Sequence, residues 1–225
     1  MQNDVSFDDA AIARLRLAAE EVAWLTGRGY PLAVVSDLVA NHRSLTAGEQ
    51  SALTCGTCSE PQYMRRAARE LEAEDIARRP LAIDAANVIA SIEAALAGRF
   101  LLETLDGTVR AFGIDDKAYT PGAQADEAIE LLFRHAKDLK PSVLRFFVEE
   151  RASSTSDLER RIQERAKSQK LKVEVMRVGS VFAALRKEKA LVSGDAAVLD
   201  SAPAWFNLAG RVVSSIRSAK VVRLQ

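Results

Sequence analysis

Leu81-Ala82-Ile83-Asp84-Ala85-Ala86-Asn87-Val88-Ile89 is the stretch on which the fold turns. An apolar run closed by a carboxylate, with an asparagine about one helical turn later, reads as a buried strand that delivers Asp84 to its end and then starts a helix. Two later stretches repeat the pattern: Val143-Leu144-Arg145-Phe146-Phe147-Val148-Glu149 and Ala190-Leu191-Val192-Ser193-Gly194-Asp195. In an open parallel sheet, strands of this kind carry their terminal acids to the carboxyl edge, where such folds place their sites.

Working outward, apolar residues recur at helical spacing from Asp8 to about Arg79, as in Ile12, Leu15, Ala19 and Val22, and again in Val34, Val35, Leu38 and Val39. Gly27, Gly29 and Pro31 separate the first helix from the second. A short helix is expected to start within residues 44–51, and residues 60–78 read as one charged, exposed helix. Arg79-Pro80 is the seam, because the residue before proline resists helical geometry. This predicts a helical N-terminal domain over residues 1–79 and an α/β domain over residues 80–225. In the latter, strands are expected at 81–84, 100–103, 109–112, 143–149, 171–178 and 190–193, with a final edge strand at 221–224. Helices are expected up to residue 97 and over 126–139, 156–169 and 205–216. Asp106-Gly107 marks a hairpin turn, and Ser156 with Glu159 has capping-box spacing. Strand-helix alternation demands crossovers, hence a mostly parallel sheet covered on both faces. Trp24 and Trp205 fall on apolar helical faces and are expected in the core.

The 225 residues are 48% hydrophobic, enough to bury a full core. No apolar run approaches the roughly 18 residues of a membrane helix, and the acidic residues 1–9 lack the features of a signal peptide. The expectation is a cytoplasmic protein with no membrane partner. Lys plus Arg and Asp plus Glu each number 31, so overall charge gives no pull toward nucleic acid. Arg160, Arg161, Arg165, Lys167, Lys170 and Lys172 are locally dense, which fits either a solvated helix face or a phosphate-facing one. Cys55 and Cys58 have no second pair to complete a zinc site and read as reduced thiols. His42 and His135 sit in helical segments and support no serine or cysteine nucleophile. Phosphate-binding patterns of the GxxxxGK[ST] and GxGxxG forms are missing from the sequence.

If Asp84, Glu149 and Asp195 converge, their charges repel unless a cation or protons compensate. Mg²⁺ or Mn²⁺ suits such oxygen ligands and keeps waters that a phosphodiester oxygen can replace, so the implied chemistry is metal-assisted phosphodiester hydrolysis. Each acid also has a second reading, as an N-terminal cap of the following helix. Asp106 reads as a hairpin residue. Asp200 is read as opening a helix, either as its cap or as an outer support of the metal site. Ser153, Ser154 and Thr155 form a hydroxyl-rich loop able to position phosphate or water.

The segment from Ile83 to Ile89, with Asp84 followed three residues later by Asn87, resembles the first strand of PIN and NYN-type ribonucleases. Ser193-Gly194-Asp195 resembles their Ser-x-Asp strand end. Nearly end to end, the chain resembles the prokaryotic family called domain of unknown function 434. That likeness rests on Trp24-Leu25-Thr26-Gly27-Arg28-Gly29-Tyr30-Pro31, Leu45-Thr46 and Cys58-Ser59 in the first part. In the second part it rests on Glu93, Asp106-Gly107 with Arg110, and Ser153-Ser154-Thr155. The chain departs from the pattern in Ala85 and Ala86 after the first acid, in Ala111, and in Glu149 where Asp is usual. The resemblance implies a Rossmann-like PIN fold and a Mg²⁺ or Mn²⁺ dependent ribonuclease acting on RNA. Asp84, Glu149 and Asp195 would hold metal with Asp200 in support, and Asn87 and Ser193 would orient ligands. Ser153, Ser154, Arg110, Arg160 and Lys167 would meet the substrate. The rival expectations are a noncatalytic RNA-binding module and a protein-interaction module, the helical domain supplying the contact to a second copy or another protein.

Overall fold

The structure is a computed structural model and describes residues 7–112 and 119–224; of the stretch 1–9 read as lacking signal-peptide features, residues 1–6 lie outside them. Asp8 starts α1 (Asp9–Gly27) by accepting the Ala11 amide at 2.7 Å. Gly29, at φ +88°, takes the left-handed conformation that turns the chain away from α1. Pro31 then precedes α2 (Leu32–His42). Thr46 and Glu49 form a reciprocal capping box on α3 (Ala47–Gly56), as do Ser59 and Gln62 on α4 (Glu60–Ala67). The single helix expected over 60–78 is broken, resuming only as α5 (Ala73–Ile76). Tertiary pairing causes the break: the Trp205 amide donates to Arg69 O at 3.0 Å and the Leu71 amide to Trp205 O at 2.7 Å. These bonds need an extended backbone and override local helix propensity.

The α/β part follows as β1 (Pro80–Asp84), α6 (Ala85–Leu96), β2 (Phe100–Glu103), β3 (Val109–Ala111), α7 (Ala125–Asp138), β4 (Val143–Glu149), α8 (Thr155–Gln169), β5 (Val173–Val178), α9 (Val181–Leu185), β6 (Leu191–Val192), α10 (Ala196–Ser201), α11 (Leu208–Ser214) and β7 (Lys220–Arg223). Four parallel strands form the main sheet in the order β5-β4-β1-β6. The chain thus builds outward from β1 through β4 to β5 and then returns to the other flank of β1 as β6. That reversal is a topological switch point between β1 and its neighbours.

Side chains alternate across the main sheet. Leu81, Ile83, Leu144 and Phe146 pack with α6, α7, α8 and α11 in the largest core cluster. Ala82, Phe147 and Leu191 face a second cluster with Leu185, Val198, Leu199 and Trp205. Both faces are covered, as an all-parallel sheet requires. The hairpin turning at Asp106-Gly107 pairs β2 with β3, and with β7 it makes a separate three-stranded sheet, β3-β2-β7. A third cluster joins α1, α2 and α3 to Leu102, Val222 and Leu224 of this small sheet.

Three local expectations need correction. Trp24 is 57% exposed, with the Arg28 guanidinium 3.4 Å above its ring, whereas Trp205 is 1% exposed as expected. The Ser156–Glu159 box does not form, because α8 starts at Thr155 with Ser154 before it. The last helix starts at Leu208, where Asn207 caps it through the Gly210 amide at 3.1 Å, because Trp205 is held in bridges to Glu70 and Leu191. No helix among the described residues is long and apolar enough to cross a membrane.

Candidate site at the carboxyl edge

β1 ends at Asp84, which is 7% exposed. Its side chain makes no capping bond to α6, so the capping role does not account for it. On the adjacent strand, Ile83 pairs with Val192, which sets Asp84 level with Ser193. Ser193 Oγ donates to Asp84 Oδ2 at 2.9 Å and accepts the Asp195 amide at 3.1 Å. One turn into α6, Asn87 Oδ1 accepts the Gly194 amide at 2.6 Å. A side chain at position 194 would bring its Cβ within 3.1 Å of Asn87 Oδ1 and 3.3 Å of Val109 O, so this close approach favours glycine. The start of α6 and the loop after β6 are thereby laced together at the switch point.

The other acids are engaged differently. Asp195 Oδ1 caps α10, accepting the Ala197 and Val198 amides at 2.6 and 3.3 Å. Glu149 Oε2 accepts the Val181 amide at 3.2 Å, turning toward the start of α9. Asp200 does not open a helix; it lies near the end of α10, where Arg66 Nε reaches its Oδ1 at 2.8 Å and Gln62 Nε2 its Oδ2 at 3.0 Å. Among the described residues, no group of three or more His, Cys, Asp or Glu is arranged to hold a metal ion. What the fold brings together is smaller: Asp84, Asn87, Ser193, Gly194 and the start of Asp195.

Beside this group, Arg110 donates to Cys55 O at 2.7 Å, and its Cγ lies 3.4 Å from where a Gly194 Cβ would stand. Asp106 accepts from the Thr104 hydroxyl, from the Thr108 hydroxyl at 2.6 Å and amide at 3.0 Å, and from Arg66. Burial works to raise the pKa of Asp106, but the Arg110 charge and the threonine hydrogen bonds hold it below the ordinary carboxylate value. Cys58 is buried next to this network, and desolvation together with Asp106 pushes its thiol up to about 11. Cys55 is exposed, and both cysteines are free.

The expected substrate-facing residues are dispersed. Ser153 is exposed, while Ser154 is buried and donates to Tyr119 O. Arg160 pairs with Asp157 and Glu164, and Arg161 and Arg165 with Asp126, Asp157 and Glu130, so that face of α8 is electrically balanced. Lys167 is exposed farther along the helix. Glu93 is buried, accepting the Tyr119 hydroxyl at 2.7 Å. Burial, then Glu93, raises the pKa of that phenol. Sequence reasoning missed Arg66, Thr104 and Thr108; the hydroxyls flanking Asp106-Gly107 were a readable signal for the threonines, whereas Arg66 carried none.

A family model described as Domain of unknown function (DUF5616) matches residues 73–211, which hold every residue of the group around Asp84. The chain belongs to that family. A second model, Protein of unknown function (DUF434), matches residues 14–69. The likeness to domain of unknown function 434, read nearly end to end from the sequence, therefore holds for the helical part, and the DUF5616 model covers most of the rest. Arg66 stands in the first matched segment and its partners Asp106 and Asp200 in the second, so these ion pairs join the two. The chain is also similar to the Uncharacterized protein MJ0935 of Methanocaldococcus jannaschii, 24% identical over 184 residues that cover 82% of this chain and 88% of the relative. No solved structure matches the chain.

Proposed function

We propose that this DUF5616 chain is a PIN-like, metal-dependent ribonuclease whose site lies between β1 and β6. The observation that carries the reading is the Ser193 hydroxyl, which binds Asp84 and the Asp195 amide at once. It ties the end of β1 to the loop between β6 and α10, which carries Asp195, at the switch point of a parallel sheet, the place where open α/β folds bind ligands. The resemblance of Asp84 with Asn87 and of Ser193 with Asp195 to PIN and NYN-type ribonucleases supports the substrate class.

The donor set fits Mg²⁺ or Mn²⁺, which binds through one or two carboxylates and otherwise through water and substrate phosphates. Asp84 and the Asp195 oxygen not used in capping would hold it. Held there, such an ion would supply a polarised phosphoryl oxygen and an activated water. Asn87 fixes the loop through the Gly194 amide and Ser193 orients the Asp84 carboxylate, while the Arg110 guanidinium, held by Cys55 O and facing Asp106, takes no place in this set. Glu149 and Asp200, bound by the Val181 amide and by Arg66, take no place in this set.

That engagement of Glu149 and Asp200 favours a second reading, an RNA-binding module that does not cleave. Incubation with end-labelled RNA and Mn²⁺ separates the two. Cleavage that disappears in both Asp84→Asn and Asp195→Asn supports the nuclease; retention of RNA without cleavage supports the module; neither binding nor cleavage overturns both.

A further inference from the structure

We infer that Arg66 is a positioning residue: from the helical part of the chain it fixes α10, and through α10 the Asp195 carboxylate relative to Asp84. The inference rests on the site proposed above. α10 spans only six residues and cannot hold itself in place. Asp195 caps its first turn, and α4 clamps its other end. Arg66 is 2% exposed; its Nε binds Asp200 Oδ1 at 2.8 Å and one terminal nitrogen reaches Ala196 O at 3.4 Å, while the other pairs with Asp106. Gln62 takes the second Asp200 oxygen at 3.0 Å, and Arg69 binds the carbonyls of Asp200 and Ala202 at 3.2 and 3.1 Å. The Trp205 indole N–H closes the clamp on Arg66 O at 2.8 Å. Every turn of α10 thus has a fixed partner, and the cap that Asp195 provides moves only if α10 moves.

The test uses Asp200→Asn, which loosens the clamp at a partly exposed residue while leaving the buried Arg66–Asp106 pair intact, with Asp200→Glu as the conservative rescue. Arg66→Met serves as a second variant if its cooperative melt survives. Hydrogen exchange is followed at the Ala197 and Val198 amides, and Mn²⁺ dependence is followed by RNA cleavage. We expect exchange at those two amides to rise about tenfold with β1 and β4 unchanged, and half-saturating Mn²⁺ to rise about tenfold, the usual scale for an outer support of a metal ligand. Asp200→Glu should recover part of both. Unchanged exchange in Asp200→Asn overturns the clamp. Faster exchange with unaltered Mn²⁺ dependence in an active enzyme overturns the positioning role. If wild-type protein does not cleave RNA, the nuclease reading falls on that result alone, and the exchange data still decide whether Arg66 fixes Asp195.

Discussion

Ser193 Oγ meets Asp84 Oδ2 at 2.9 Å, although 109 residues separate the two in the chain. A hydroxyl that serves one carboxylate and one backbone amide at once controls both the direction of Asp84 and the path of the loop toward Asp195. Ser193→Ala is expected to lower Mn²⁺-dependent RNA cleavage by about 10 to 100-fold, with Ser193→Thr retaining more activity. Initial rates at saturating Mn²⁺ check this, and an unchanged rate in Ser193→Ala removes the hydroxyl from the site.

Arg66 and Asp106 are each 2% exposed in their side chains, so their pair is buried between the helical part and the hairpin. Removing Asp106 leaves Arg66 buried with Asp200 as its remaining carboxylate, so the loss falls toward the lower end of the about 3–5 kcal/mol that a broken buried pair costs. Asp106→Ala should therefore show a loss of about 3 kcal/mol in urea unfolding, and Arg66→Met, which strands Asp106 and also releases Asp200 and the Ala196 carbonyl, a larger one. The folded-state pKa of Asp106 lies below its ordinary value near 3.9. Its stabilisation is accordingly complete above about pH 4 and is lost as pH falls through the lower folded-state value. Unfolding titrations between neutral and acid pH should show this loss in wild type and a smaller one in Asp106→Asn.

The two cysteines should differ sharply in reactivity. The thiolate is the reactive form, and burial beside Asp106 holds the Cys58 pKa at about 11, while Cys55 is exposed. Alkylation of native protein near neutral pH, followed by intact mass, should add one adduct at Cys55 and reach two only after denaturation. Fast modification of Cys58 in the native state would contradict its placement.

Trp24 and Trp205 offer a matched pair of substitutions. Trp205→Ala removes a buried ring and its bond to Arg66 O, an expected loss of about 3–5 kcal/mol. Trp24→Ala, at an exposed position, should stay within about 0.5 kcal/mol. Equal losses from the two in chemical unfolding would refute this assignment of core and surface.

The strands at Leu81, Val143 and Leu191 were legible because apolar runs ending in acids have few other meanings, and Asp106-Gly107 announces its turn through glycine at φ +79°. That Asp84, Asn87, Ser193 and Asp195 share one edge follows from parallel connectivity. How each acid is used does not follow, because Glu149 is claimed by an amide at the start of α9 and Asp200 by an arginine more than 130 positions away. The break after α4 was hidden for the same reason: its cause is a backbone pairing with Trp205, invisible to local periodicity. Trp24 misled because helical spacing marks an apolar stripe without saying whether anything covers it.

The placement of β7 beside β2 has a consequence for how the molecule comes into being. Val222 and Leu224 seal the apolar side of the first three helices, which the ribosome makes more than 160 residues earlier. Leu102 of β2 covers part of that flank midway through translation, and the rest stays open until Val222 and Leu224 emerge. A nascent chain stalled before Lys220 should be cut by protease within residues 9–56 more readily than one in which β7 has cleared the exit tunnel.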